Sequence, residues 1–324
     1  MGPGVTAHWL SRPRGDQMAA FAPPDAVERG IDGGAVIECV PDDSGRMQQC
    51  HVIFEAPEGL GFGAAALKLA PAYRIDARAS SGAIAHPTMK LPIRWVFGGK
   101  LTASEIFLVA HPRWSSAPSF ADVETAYLAS AAGAVGTITL RCRVGGAGRI
   151  GLCVNRDLEA AKGSPPSPEQ RLTDVAEGLS DRFELHLNHT GLPAGTALMT
   201  DVTFRFIDPK DPAFVGRQIG EPSWIATVPP TVSDKLFPPA ATYKGITTGQ
   251  GVAECTVGAD GSLRACRALP GNPDGVGFSL AAVKVASIMK MSVWTEAGGP
   301  VDGATVRIPV QFNSGTPSPA PAKP

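Results

Sequence analysis

The chain has 324 residues, 30 prolines, 37 glycines and a 44% hydrophobic share, so it is long enough for two or three domains with real cores joined by many turns. A net charge of −1 removes nucleic acid and an anionic membrane as primary partners. No apolar run approaches the roughly 18 residues a membrane helix needs; the longest local candidate is Ile106-Phe107-Leu108-Val109-Ala110.

In chain order, one unit is written three times. Each copy opens on a tryptophan, Trp9, Trp114 and Trp224, at steps of 105 and 110 residues, too long for a solenoid and right for tandem domains. The expected divisions are 1–99, 100–210 and 211–314, followed by a Pro-rich tail, 315–324, that should be disordered or extended. The three tryptophans should seal the seams between neighbouring units. The opening MGPGVTAHW lacks the basic head and apolar stretch of a signal peptide.

Next come the cysteines, Cys39 and Cys50, Cys142 and Cys153, Cys255 and Cys266, three pairs at one spacing. Midway within each lies an X-Gly pair, Ser44-Gly45, Ala147-Gly148 and Asp260-Gly261, the strongest short-range signal for a two-residue hairpin. With those turns each cysteine faces its partner across two antiparallel strands, close enough for a disulfide. The alternative is six reduced cysteines in a core. Three disulfides imply an oxidising compartment, and by the loop-entropy account each ring contributes slightly under ~3 kcal/mol. Ile37 and Cys39, Ile138, Leu140 and Cys142, and Ala253, Cys255 and Val257 share one face of the first strand, which places the sulfurs on the core side.

A helix follows in each copy: Phe62, Ala65, Ala66 and Leu69; Leu172, Val175, Ala176 and Leu179; Phe278, Ala281, Ala282 and Val285. Each set has the spacing of one apolar stripe that can lie on the cysteine face. Behind the helices come matched triplets, Tyr73-Arg74-Ile75, Phe183-Glu184-Leu185 and Met289-Lys290-Met291. A last strand closes each copy, Leu91 to Trp95, Val202 to Phe206 and Ile308 to Phe312. Strand directions put it beside the first strand, giving an α+β unit with a three-stranded antiparallel sheet of order 2-1-3 and the helix on one face. The last strand is then an edge, and Pro92 and Pro309 suit an edge.

These residues resemble the C-terminal domain of TonB, the periplasmic part of an energy transducer, in the form with paired cysteines in tandem. The likeness rests on Phe237-Pro238, on Gly251-x-x-x-Cys255-x-Val257-x-x-Asp260-Gly261, on Gly277-Phe278 and the following helix, and on Val306 to Phe312. Copy 1 matches through Gly59 to Leu67 and Leu91 to Arg94, copy 2 in outline, with Phe21 and Tyr127 as counterparts of Phe237. The resemblance implies a periplasmic protein–protein interaction module linked to energy-coupled transport. It binds the TonB-box peptide of an outer-membrane transporter, or another envelope protein, by adding a strand beside the last strand. The implied contact residues are Ile308, Val310 and Phe312, then Leu91 and Ile93, then Val202 and Phe204. The membrane would be reached only through a partner or a segment ahead of Met1, and the alternative is a passive envelope scaffold.

No catalytic constellation is present, and the expectation is a non-enzyme without cofactor or metal. Gly59-x-Gly61-x-x-Ala64 formally fits a dinucleotide fingerprint, but its strand belongs to a hairpin rather than to a parallel βαβ unit. His186 and His189 have no third ligand nearby in sequence.

Overall fold

The computed structural model describes residues 8–76, 88–97, 106–155, 167–187, 196–207 and 217–314. The divisions near 99 and 210, the tail and His189 lie outside the described residues. Copy 1 comprises β1 (Trp9–Ser11), α1 (Gly15–Ala20), α2 (Pro24–Arg29), β2 (Gly33–Pro41), β3 (Met47–Ala56), α3 (Phe62–Leu69), β4 (Arg74–Ile75) and β5 (Met89–Trp95). The next series comprises β6 (Ile106–Val109), β7 (Trp114–Ser116), α4 (Phe120–Ser130), β8 (Gly136–Val144), β9 (Ile150–Asn155), α5 (Pro168–Leu179), β10 (Glu184–Leu185) and β11 (Ala197–Phe206). The last comprises β12 (Gln218–Ile219), β13 (Trp224–Ala226), α6 (Pro230–Lys235), α7 (Pro239–Tyr243), β14 (Thr248–Val257), β15 (Leu263–Asn272), α8 (Phe278–Ala286), β16 (Lys290–Met291) and β17 (Thr305–Asn313). The protein is thus mixed α and β with several small sheets.

All three cysteine pairs form disulfides, Cys39–Cys50, Cys142–Cys153 and Cys255–Cys266, and among the described residues no cysteine is free. The turns differ from the two-residue expectation. Gly45 N–H donates to Asp42 O at 2.8 Å and Gly261 N–H to Gly258 O at 2.9 Å, so the glycine is the fourth residue of the turn, at φ +79° and +77°. The turn is therefore one residue longer, and Pro41 pairs with Met47 rather than with Gln48. A bulge opposite the first cysteine takes up the extra residue: the ladder shifts between Glu38 and Val40, between Arg141 and Arg143, and between Glu254 and Thr256. Its marker is a non-glycine residue at positive φ just before the second cysteine, Gln49 at 50°, Leu152 at 51° and Ala265 at 47°. Only beyond this bulge do the two cysteines come opposite, at Cα separations of 4.0–4.1 Å.

Each turn glycine also meets the triplet behind the helix. A Cβ on Gly45, Gly148 or Gly261 would stand 1.9, 2.1 or 2.2 Å from the carbonyl oxygen of Ile75, Leu185 or Met291, so the position needs both the left-handed φ and the bare backbone. Ile75 N–H donates to Gly45 O, and Met291 N–H to Gly261 O, at 2.9 Å each. In the first turn Asp42 Oδ1 accepts from Ser44 Oγ at 2.7 Å, Ser44 N–H at 2.9 Å and Arg46 N–H at 3.0 Å. Those donors, Ser44 first, hold its carboxyl down at about 2.

The helical stripes are buried as their spacing requires. Phe62, Ala65, Ala66 and Leu69 of α3 lie against β2 and β3, and the matching sets on α5 and α8 are buried as well. The aromatic leading α3 and α8 settles on a glycine six residues before the first cysteine. A Cβ on Gly33 would be 2.2 Å from Phe62 Cε2, and one on Gly249 would be 2.2 Å from Phe278 Cε2. With Leu172 in that place, Gly136 has 3.3 Å of clearance.

The chain divides into two compact units. Unit 1 holds residues 1–112, 121–208 and 296–298; unit 2 holds 113–120, 209–295 and 299–324. Inside unit 1 the outer face of the first sheet meets the second hairpin, where Phe54, Ala56 and Leu152 form a small buried cluster with Val36. Arg94 donates to Cys153 O at 2.8 Å, and Lys90 pairs with Asp181. Inside unit 2, Trp114 is buried, its N–H donating to Ser292 Oγ at 2.9 Å and its carbonyl accepting from Val293 N–H at 3.0 Å. Trp9 and Trp224 lie in short ladders opposite Ile75 and Met291.

Candidate partner-binding edges

The order 2-1-3 is the whole of the first sheet, β3-β2-β5, and is kept by the hairpin and last strand of the other two, β9-β8-β11 and β15-β14-β17. The other two sheets have four strands, β6-β11-β8-β9 and β12-β17-β14-β15. The added strand comes from the segment just ahead of the repeat's tryptophan and runs parallel to the last strand. Ile106–Val109 pairs with Ala197–Thr200, and Gln218–Ile219 with Thr305–Val306. The last strands begin earlier than expected, and the added strands pair with those earlier parts, ahead of the stretches Val202 to Phe206 and Ile308 to Phe312 expected as edges. β11 lies inside its sheet over Ala197–Thr200, and Arg205 farther along donates to Gly298 O at 2.7 Å. The far part of β17, the outer side of β5 and, apart from the Arg205 bond, the far part of β11 have no strand partner on that side among the described residues. The sign of this arrangement in the sequence was the apolar run at Ile106; Gln218-Ile219 is too short to stand out.

The direction of the backbone groups follows from one bond. Thr305 N–H donates outward to Arg217 O at 2.8 Å. Alternate residues of a strand point the same way, so Arg307, Pro309 and Gln311 also direct their backbone outward, and Pro309 contributes no donor. Val252 stands opposite Pro309 and Val36 opposite Pro92, so both prolines spare the inner ladder.

The side chains singled out from the sequence lie elsewhere. Ile308, Phe312, Leu91, Ile93, Val202 and Phe204 are all buried in cores, and Val310 is half-buried. They cannot be the surface a partner touches, because the strand alternation that makes them apolar also turns them under the helix. Beside β17 a partner would instead meet Arg307, Pro309 and Gln311, which are exposed. Arg307 Nε donates to Glu254 at 2.8 Å and Arg267 Nε donates to the same carboxylate at 2.9 Å, and these bonds, Arg307 first, lower the Glu254 pKa.

Phe237 and Pro238 also support the core. The Phe237 ring meets Phe278 edge-on at 5.4 Å, Phe278 packs at 5.8 Å on Phe312, and Pro238 is buried where α7 begins. Because α2 and α7 both start one residue after a buried proline, Pro23 and Pro238, the residue in copy 1 that matches Phe237 is Ala22. Phe21 is one place off and exposed. Tyr127 is buried and stacks on Phe206 at 6.2 Å.

The glycine fingerprint has its own occupant. Glu55 accepts from Gly61 N–H at 3.0 Å, Phe62 N–H at 3.2 Å and Gly63 N–H at 3.1 Å, the groups that a pyrophosphate would use. His186 is half-buried directly after β10, and among the described residues no group of three or more His, Cys, Asp or Glu is placed to hold a metal.

No family model, curated protein or solved structure matches this chain. Among the described residues no helix is long and apolar enough to cross a membrane.

Proposed function

We propose that this chain is a protein–protein interaction module of the cell envelope, built as three tandem copies of one disulfide-pinned domain, that holds an extended partner peptide as an added strand outside β17. The observation that carries this reading is the half-covered last strand: β14 pairs with β17 over its whole length, whereas β12 reaches only Thr305 and Val306. Backbone groups left open on a sheet edge are what strand addition uses. Three disulfides suit an oxidising compartment, of which the periplasm is the one the TonB resemblance implies. The same resemblance supplies the partner class, a TonB-box-type peptide, and the link to outer-membrane transport. For copy 2 the pairing of Ala197–Thr200 together with the Arg205 bond to Gly298 O favours a packing role, the passive-scaffold reading confined to that copy.

A labelled TonB-box-type peptide titrated onto the full chain tests this. Gln311→Pro removes one outward donor and leaves the β14 ladder intact, so it should weaken binding roughly tenfold or more while the unfolding midpoint stays put. The absence of saturable binding, or binding indifferent to this substitution with fold retained, refutes strand addition at β17.

A further inference from the structure

The outer face of the third sheet carries a positive charge that the sheet itself does not use up. Glu254 of β14 lies between two arginines, opposite Arg267 of β15 and opposite Arg307 of β17. Arg267 Nε donates to Glu254 Oε1 at 2.9 Å and Arg307 Nε donates to Oε2 at 2.8 Å. One carboxylate thus serves two guanidiniums, two positive charges against one negative. The Glu254 side chain is only 14% exposed beneath them, whereas that of Arg307 is 56% exposed. Arg307 is held through Nε, and its two Nη groups have no acceptor among the described residues. Such a free pair of donors is the fork that takes a carboxylate bidentately.

The matched places in the sister copies are already neutralised. Lys90 stands opposite Glu38 as Arg307 stands opposite Glu254, and Lys90 pairs with Asp181. In copy 2 the place is taken by Asp201, which pairs with Arg141. The position of Arg307 along its strand matters as much as its charge. The cover of β12 ends opposite Val306, so Arg307 is the first residue of β17 beyond it. Both strands that the chain adds to itself run parallel to the last strand. A partner strand taking up the line that β12 leaves would set its first residue opposite Arg307, with the two side chains on one face of the sheet.

We propose that Arg307 is a specificity-determining residue, and that the extended segment added outside β17 carries an acidic side chain opposite it. This rests on strand addition at β17 and names the chemistry of its occupant. Labelled five-residue peptides Xaa-Val-Thr-Val-Thr, blocked at both ends, with Glu, Gln or Lys as the first residue, are titrated onto the full chain at low and high salt. The Glu peptide should bind about threefold more tightly than the Gln peptide and about tenfold more tightly than the Lys peptide, as a surface ion pair and its reversal allow. That spread should narrow as salt screens it. In Arg307→Glu, checked for fold by its unfolding midpoint, the order should invert and place Lys above Glu. Equal affinities of the three peptides, with Gln311→Pro still weakening all of them, overturn the acidic preference and leave strand addition standing. An order that a folded Arg307→Glu does not change has the same meaning. The absence of saturable binding by any of the three, and by the TonB-box-type peptide, overturns both readings together. The peptide series on the unaltered chain decides the matter without any variant having to fold.

Discussion

Adding one methyl group at Gly249 probes the contact on which the third core is seated. The new Cβ would lie 2.2, 2.4 and 2.6 Å from three atoms of the Phe278 ring, and that ring is held by Phe237 at 5.4 Å and Phe312 at 5.8 Å. It cannot retreat without disturbing both neighbours, so Gly249→Ala should cost about 1–3 kcal/mol, the usual range for overpacking. The partner change, Phe278→Leu, vacates space and should cost a similar amount through its cavity. Copy 2 shows how the pair can be reconciled: Leu172 leaves Gly136 a 3.3 Å approach, close to ordinary contact. The double variant should therefore be less damaged than the sum of the singles, with a coupling of about 0.5–3 kcal/mol. Native-state hydrogen exchange at Val252 and Ala253 reads unit 2 locally and avoids treating a chain with two compact units as one two-state system. Strict additivity, or a neutral Gly249→Ala, would refute the claim that helix and sheet are locked at this point.

Two further outcomes follow from the turns. Gly261→Ala meets both a φ of +77° and a carbonyl at 2.2 Å, whereas Gly303→Ala meets only a φ of +73° in open space; both should lose roughly 1–2 kcal/mol for the left-handed backbone, and Gly261→Ala distinctly more, so equal losses in denaturant unfolding would count against the docking of the turn on Met291. Asp42 has its folded pKa lowered to about 2 from the ordinary aspartate value of 3.8; its stabilising effect is thus full above the higher value and disappears as pH falls through the lower one. A carboxyl NMR titration with a midpoint near 4 would contradict the bonds drawn for that turn, and Asp42→Asn should flatten this part of the pH profile.

The elements most legible in the sequence were those fixed by local chemistry. Paired cysteines, X-Gly turns and the 3.6-residue stripes of α3, α5 and α8 all announce themselves within a dozen residues or so, and burial follows from them. What could not be read was register. The bulge at Gln49, Leu152 and Ala265 leaves no residue-type signature, since three unrelated side chains adopt the same positive φ; the turn length and the covalent closure impose it together. The added strands were hidden for another reason: a parallel neighbour two to four residues long needs no hairpin signal and lies some 90 residues from its partner. The stretches expected as edges, Leu91 to Trp95, Val202 to Phe206 and Ile308 to Phe312, are left uncovered by the added strands, which pair ahead of them, whereas most of the side chains singled out there are turned into the core.

The three copies vary where the common frame leaves backbone groups without a partner. A hairpin, a helix and a returning strand satisfy their own ladders but leave the first N–H groups of the helix and the outer side of the last strand open. At the helix, copy 1 answers with Glu55, copy 2 with the Ser167 hydroxyl accepting from Gln170 N–H at 3.1 Å, and copy 3 with no side chain. At the strand, copy 2 answers with four residues and copy 3 with two. Copy 1 is thus the more open at the strand, where β5 takes no added neighbour, and copy 3 at the helix, while the core glycine, bulge and disulfide of copy 3 match those of copy 1. The core glycine, bulge and disulfide are common to copies 1 and 3 whereas the caps and the added strands differ, so the frame is fixed inside and varied at its open backbone groups.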